Sequence, residues 1–281
     1  MSELESEKKL RIIITCSLQN DFVEQIEIKE KKEDTVKLSF ETCQKAWSDY
    51  FFNPNISSEK KNIEDFLNWL KREKAKYEDK NAAISYLNLV EKYKHRVHIN
   101  YDESKRLLDD NNLYQFLTEF LKKDYYFIHL RDWHDPTDLD QRGELNFFGN
   151  HCLKGTYGAH FIAPIKIGIN DNLERHLIVN SNNLSSFSDT KLESVLNLIL
   201  KNEKSSKSKV EIGILGVITN VKVLLLTFEL MVIHGYRNLF ICEDACAGFN
   251  LESHNQGIDY ISGIFGANVL NQKEFREKFN F

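Results

Sequence analysis

The stretch Val210-Glu211-Ile212-Gly213-Ile214-Leu215-Gly216-Val217-Ile218-Thr219-Asn220-Val221-Lys222-Val223 decides the fold. Its first half, Val210–Gly216, is a short β-branched apolar run of the kind that forms a strand buried on both faces of a parallel sheet. Its second half opens a helix, Val221–His234, which is almost wholly apolar and is therefore expected to be buried all round. Gly235-Tyr236 closes that helix as a C-cap followed by the next strand. Strand, tight turn and helix in this order are the unit of an α/β protein.

Working outward, similar apolar runs occur at Leu10–Cys16, Tyr125–Leu130, His176–Asn180 and Asn238–Cys242, with a weaker one at Ala267–Leu270. Between them, Thr190–Leu200 places Leu192, Val195, Leu196 and Ile199 on one helical face, and 112–122 does the same with Leu113, Phe116, Leu117, Phe120 and Leu121. The pattern predicts a three-layer α/β sandwich with a doubly wound, mostly parallel, six-stranded sheet, whose site lies at the carboxyl ends of the strands. One region breaks the rhythm. A crossover needs a dozen or more residues, yet about 100 separate the first two strands. Residues 1–25 and 111–281 therefore read as the α/β domain, and 26–110 as a helical insertion serving as a cap or docking element. The charged runs Lys29–Asp34 and Lys201–Lys209 read as loops.

Composition narrows the function classes. A net charge of −5 and a pI near 6.0 give no electrostatic case for nucleic acid. No apolar run reaches the roughly 20 residues of a membrane span, and the charged N-terminus lacks the apolar centre of a signal peptide. The five cysteines, Cys16, Cys43, Cys152, Cys242 and Cys246, form no C-x-x-C pair, and an odd number argues against a disulfide framework. The expectation is a reduced, cytoplasmic protein.

Four segments carry a family resemblance: Ser17-Leu18-Gln19-Asn20-Asp21-Phe22; Arg131-Asp132-Trp133-His134 followed by His151-Cys152-Leu153-Lys154-Gly155-Thr156-Tyr157-Gly158-Ala159; Ser185-Ser186-Phe187-Ser188-Asp189-Thr190-Lys191-Leu192; and Gly216–Val223. Together, and in this order, they resemble the isochorismatase-like cysteine hydrolases, most closely the nicotinamidase branch. That resemblance implies a reaction run by an aspartate base, a lysine and a nucleophilic cysteine at a helix N-terminus, where the dipole favours a thiolate. The three corresponding positions here hold Ser17, Ser181 and Lys222, so the family reaction is not expected. The resemblance also places Gln19, Asp21, Trp133, Phe187 and Asp244 around the pocket.

Substitute chemistry has few sources in the sequence. Cys16 adjoins the lost aspartate position but belongs to a strand, where its alternation points it into the core. Lys222 at a helix N-terminus opposes the dipole, which favours a lowered pKa and an amine suited to a Schiff base or to anion binding; pairing with Glu243 or Asp244 is the competing reading. The resemblance further implies a divalent-metal site at Asp132, His134 and His151, with Asp138 or Asp140 in place of a missing histidine. Imidazole and carboxylate together suit zinc, iron or manganese. Two functions follow: a pseudoenzyme that binds a small molecule or protein partner, with homo-oligomerisation among its options; or a hydrolase with metal-assisted or lysine-based chemistry on a small amide or ester.

Overall fold

The computed structural model describes residues 9–23, 99–135, 144–145, 148–149 and 151–281, together with Trp69 and Arg72. The chain divides into two compact units, Met1–Gln25 with Arg96–Phe281, and Ile26–His95. The insertion expected over 26–110 lies outside the described residues, apart from Trp69, Arg72 and residues 99–110, the last of which belong to the first unit. The run Lys29–Asp34, Cys43, Asp138 and Asp140 also lie outside them.

The first unit is an α/β sandwich built on a wholly parallel sheet. In chain order its strands are β1 (Arg11–Cys16), β2 (Tyr126–Asp132), β3 (His176–Ser181), β4 (Glu211–Val217), β5 (Asn238–Ala247) and β6 (Asn268–Leu270). Their spatial order is β3-β2-β1-β4-β5-β6, so the winding reverses between β1 and β4. At such a switch point the connections leave in opposite directions, opening a crevice beyond the carboxyl ends of the two central strands. β5 runs to Ala247, beyond the expected Cys242, because the β4–β5 register shifts between Ile214 and Gly216 and pairing then resumes at Gly216–Cys246.

Helices cover the sheet as the connections require. The described ones are α1 (Asn20–Val23), α2 (Tyr101–Lys105, continued by a π turn to Asp110), α3 (Leu113–Phe120), α4 (Ala163–Asp171), α5 (Leu192–Asn202), α6 (Leu224–Phe228, between π turns Thr219–Val223 and Glu229–Ile233), α7 (Leu251–Gly263) and α8 (Gln272–Phe279). On one face Phe127 of β2 meets Phe120 of α3 edge to face, and Phe120 packs the same way on Phe275 of α8. Gly213 makes room for this cluster: a Cβ there would lie 2.7 Å from Phe275 and 2.8 Å from Ile13. Alternation along the strands sends Ile12, Ile14, Ile212 and Ile214, all fully buried, to the opposite layer.

The helix after β4 differs from expectation. Lys222, Val223, Leu226 and Leu230 are buried, but Val232 is 59% and Ile233 61% exposed. An apolar sequence all round is not enough to bury a helix; only the stripe facing the sheet and α7 has neighbours to pack against.

Candidate functional site

Backbone pairing at the end of β2 sets the site. Beyond Asp132 the chain stays extended and His134 bridges in parallel to Leu153, with His134 N–H donating to Cys152 O at 3.1 Å and Lys154 N–H to His134 O at 2.9 Å. That short ladder brings the rings of His134 and His151 to 4.6 Å centroid separation. From α1, Asp21 Oδ2 accepts the Cys152 N–H at 2.8 Å and fixes the same segment from the other side. Gln19 locks β1 to β2 through both ends of its amide. Its Nε2 donates to Asp132 O and Ala159 O, each at 2.9 Å, and its Oε1 accepts Asp132 N–H at 2.8 Å.

Four side chains converge there. Asp132, His134, Glu144 and His151 each offer a ligand atom, and these atoms all lie within 4.8 Å of one another. Gly149 O sits 2.8 Å from His151 Nδ1, so that nitrogen carries the proton as donor and leaves the Nε2 lone pair facing the cluster in the neutral ring. Asp132 Oδ2, Glu144 Oε2 and both ring nitrogens of His134 are buried without a hydrogen-bond partner. Buried polar atoms are normally paired, so unpartnered atoms on three residues of one cluster suit a cation that would collect one from each. The donor set of two imidazoles and two carboxylates fits a divalent transition metal.

Lys222 enters the same cluster. Its Nζ lies 3.0 Å from Asp132 Oδ1 and 3.5 Å from Glu144 Oε1, and it donates to Asn183 O at 2.5 Å. The ammonium thus faces three oxygens, two in ion pairs and one through a hydrogen bond. Burial works against this charge, yet Asp132 and Glu144 outweigh burial and hold its pKa above the ordinary lysine value. Of the two readings of Lys222, the lowered amine pKa does not hold and the carboxylate-paired lysine does, with Asp132 and Glu144 as its partners in place of Glu243 or Asp244. The long stem reaches across β1 to the end of β2.

Neighbouring charges follow from that arrangement. Burial pushes the His134 ring down and keeps it neutral. For Glu144 burial raises the pKa, but His151 and Lys222 more than reverse it and the carboxyl is held low. Burial likewise opposes a charge on His151, and Glu144 and Asp132 overcome it to raise the ring. Cys16 is a poor candidate nucleophile: burial pushes its thiol up to about 12, with Lys222 only partly offsetting it. Cys152 is also raised far above the usual thiol range by burial, and its Sγ faces Gly158 O at 3.8 Å.

Ser17 and Ser181, flanking the cluster, are buried. Ser17 adopts a left-handed backbone (φ 48°) and donates its N–H to Leu130 O at 3.1 Å. Ser181 pairs with Asp132 across the β2–β3 ladder, and its Oγ donates to Asn183 O at 2.8 Å, the carbonyl that also accepts from Lys222. Of the other predicted pocket residues, Trp133 is half-buried under the Arg131 guanidinium, 3.9 Å from its ring. Phe187 stacks on His234 with centroids 3.8 Å apart, and Asp244 Oδ2 accepts the Gln272 N–H at 2.7 Å at the start of α8. The contacts of these last two are packing and capping contacts outside the four-residue cluster. Glu144 was not among the residues singled out in the sequence. Its sole signal was an acidic side chain between Asp-x-His and His151.

The isochorismatase domain model matches residues 110–274. Among solved structures, the fold is similar to nicotinamidase/pyrazinamidase from Bacillus subtilis, at 16% identity and a TM-score of 0.56 over 93% of this chain and 100% of that one. It is also similar to an isochorismatase-like hydrolase from Alkaliphilus metalliredigens, with 16% identity, a TM-score of 0.50, and coverage of 96% and 99%. A pyrazinamidase/nicotinamidase from Streptococcus mutans gives 16% identity and a TM-score of 0.50 over 92% and 99%. Comparison with curated protein sequences gives no match. No described helix is long and apolar enough to cross a membrane.

Proposed function

The chain belongs to the isochorismatase family, and from that premise we propose that it is a pseudoenzyme, lacking cysteine-hydrolase activity and keeping the family pocket for a small molecule or a protein partner in a regulatory or scaffold role. The observation that carries this reading is the state of Lys222. At the position that resembles the nucleophile stands a buried ammonium already bound to Asp132 Oδ1, Glu144 Oε1 and Asn183 O. Such a group offers no lone pair for covalent catalysis. Ser17 and Ser181 supply neither carboxylate nor amine, and the adjacent thiol of Cys16 stays protonated at neutral pH.

A second reading, metal-assisted hydrolysis of a small amide or ester, is favoured by the unpartnered atoms of Asp132, His134 and Glu144. Asp132, His134, Glu144 and His151 would hold zinc, iron or manganese, which when bound would act as a Lewis acid toward a carbonyl oxygen. In this reading Gln19 and Gly149 orient the first and last ligands through the hydrogen bonds described above.

A panel of nicotinamide and related amides and esters, assayed with zinc, iron(II), manganese or EDTA, separates the two. The first reading expects no turnover in any condition. Metal-dependent turnover that disappears in His134→Ala would overturn it. Recovery of nicotinamide hydrolysis in the combined Ser17→Asp, Ser181→Lys, Lys222→Cys protein would show that the pocket still admits a family substrate.

A further inference from the structure

Each carboxylate of the cluster is divided in the same way. Asp132 gives Oδ1 to the Lys222 ammonium and leaves Oδ2 unpartnered; Glu144 gives Oε1 and leaves Oε2 unpartnered. His134 has no hydrogen-bond partner at either nitrogen, and in its neutral ring His151 keeps the Nε2 lone pair, 3.7 Å from Glu144 Oε1. The cluster therefore carries a complete donor set and, within 3.5 Å of it, a positive charge fixed to the backbone through Lys222. We propose that Lys222 is a tethered competitor for the divalent cation, an internal counter-ion that sets the metal affinity of Asp132, His134, Glu144 and His151 low.

The sign follows from charge balance. Two carboxylates and two neutral imidazoles hold a divalent ion with no net charge left over. With the ammonium in place the same ion leaves one positive charge in excess, in a buried site where solvent screens little. Without a metal, the ammonium neutralises one of the two carboxylate charges and stabilises the metal-free state. Both effects push the equilibrium away from the metal. Lys222 cannot swing aside easily, because Asn183 O accepts a hydrogen bond from it and the side chain is 6% exposed. The idea stands apart from whether any substrate is turned over, since it concerns metal occupancy alone.

Titration with cobalt(II), followed by its visible d–d absorption, and with zinc by calorimetry tests it on the full chain at constant pH. Lys222→Met removes the charge while keeping much of the stem. Lys222→Gln keeps a donor for Asp132 or Asn183 and decides the matter if Lys222→Met does not fold. The expected result is one metal per chain bound about 10- to 1,000-fold more tightly than by the unaltered protein. That gain is lost when His134→Ala is added. Equal or weaker binding in a folded neutral variant, or no binding in either, would show that Lys222 orients the carboxylates or that no metal site exists, and would overturn the proposal.

Discussion

Lys222 Nζ lies 3.0 Å from Asp132 Oδ1, so the turn after β4 is tied to the end of β2 across the intervening strand β1. Both side chains are buried, at 6% and 2% exposure, so each charge depends on the other. Asp132→Asn or Lys222→Ala alone should cost about 3–5 kcal/mol, because each leaves an uncompensated buried charge. The double replacement should cost clearly less than the sum. Urea unfolding of the four proteins gives the coupling directly, and additive losses would contradict a mutual pair.

A second buried chain should control acid stability. Leu121 O accepts from His176 Nε2 (3.2 Å), so His176 Nδ1 accepts from His129 Nε2 (3.0 Å), and His129 Nδ1 in turn accepts from Thr15 Oγ1 (2.8 Å). This order requires both rings neutral. Burial, reinforced by His176, pushes His129 down to about 3. A histidine with a depressed folded pKa binds its proton more readily when unfolded. Stability is therefore complete above the unfolded value near 6.5 and is lost as pH falls from there toward 3. His129→Gln should reduce the pH slope of unfolding free energy in that window by up to about 1.4 kcal/mol per pH unit. An unchanged slope would mean that His129 is not buried neutral.

The central strands β1, β2 and β4 were legible because they are buried on both faces and so spelled in consecutive apolar residues, and all six strands begin within a residue of their expected start. The crossover helix was equally clear, with Leu113, Phe116, Leu117, Phe120 and Leu121 all buried. What the sequence could not supply was proximity across the sheet. Glu243 and Asp244 follow Lys222 in the next strand of the chain, yet its partner is Asp132, two strands away in the opposite direction, because the winding reverses at β1 and β4. Glu144 was illegible for a related reason. The residue is helical, but nothing in the local pattern marks it, and its value arises only when its segment is laid beside His151.

Glu211 should fasten the C-terminal helix to the sheet. This carboxylate, 4% exposed at the start of β4, is met by Lys9 at 3.0 Å, Arg11 at 3.4 Å and Lys278 of α8 at 2.7 Å. Burial would raise its pKa, but the two lysines overcome that and lower it. Its contribution is present above the unfolded carboxylate pKa near 4.3 and is lost as pH falls through the lowered folded value. Glu211→Gln should cost about 1–3 kcal/mol at neutral pH and speed amide exchange in α8 before the rest of the domain. Protection of α8 equal to that in the unaltered protein would rule this tie out.

Gly158 should be essential to the placement of His151. A Cβ there would meet Asp21 Oδ2 at 2.0 Å, the oxygen that accepts the Cys152 N–H. Gly158→Ala must therefore displace Asp21 and release the segment carrying His151. A loss of about 1–3 kcal/mol is expected, together with shifted imidazole NMR signals of His134 and His151. Unshifted signals would show that the Asp21 bond does not hold this segment.

Thiol chemistry gives the sharpest check on the proposal that no cysteine acts as a nucleophile. Cys16, Cys152, Cys242 and Cys246 are all buried, and burial raises each thiol, Cys16 and Cys246 to about 12. At pH 8 a thiol of pKa 12 is ionised in only about one molecule in 10,000, and its reagent must also reach it. Native protein treated with iodoacetamide at that pH should therefore show these four cysteines unlabelled by peptide mass spectrometry, while the urea-unfolded chain labels fully. Rapid labelling of Cys16 in the native protein would expose a reactive thiol beside Lys222 and would revive a cysteine-based reaction.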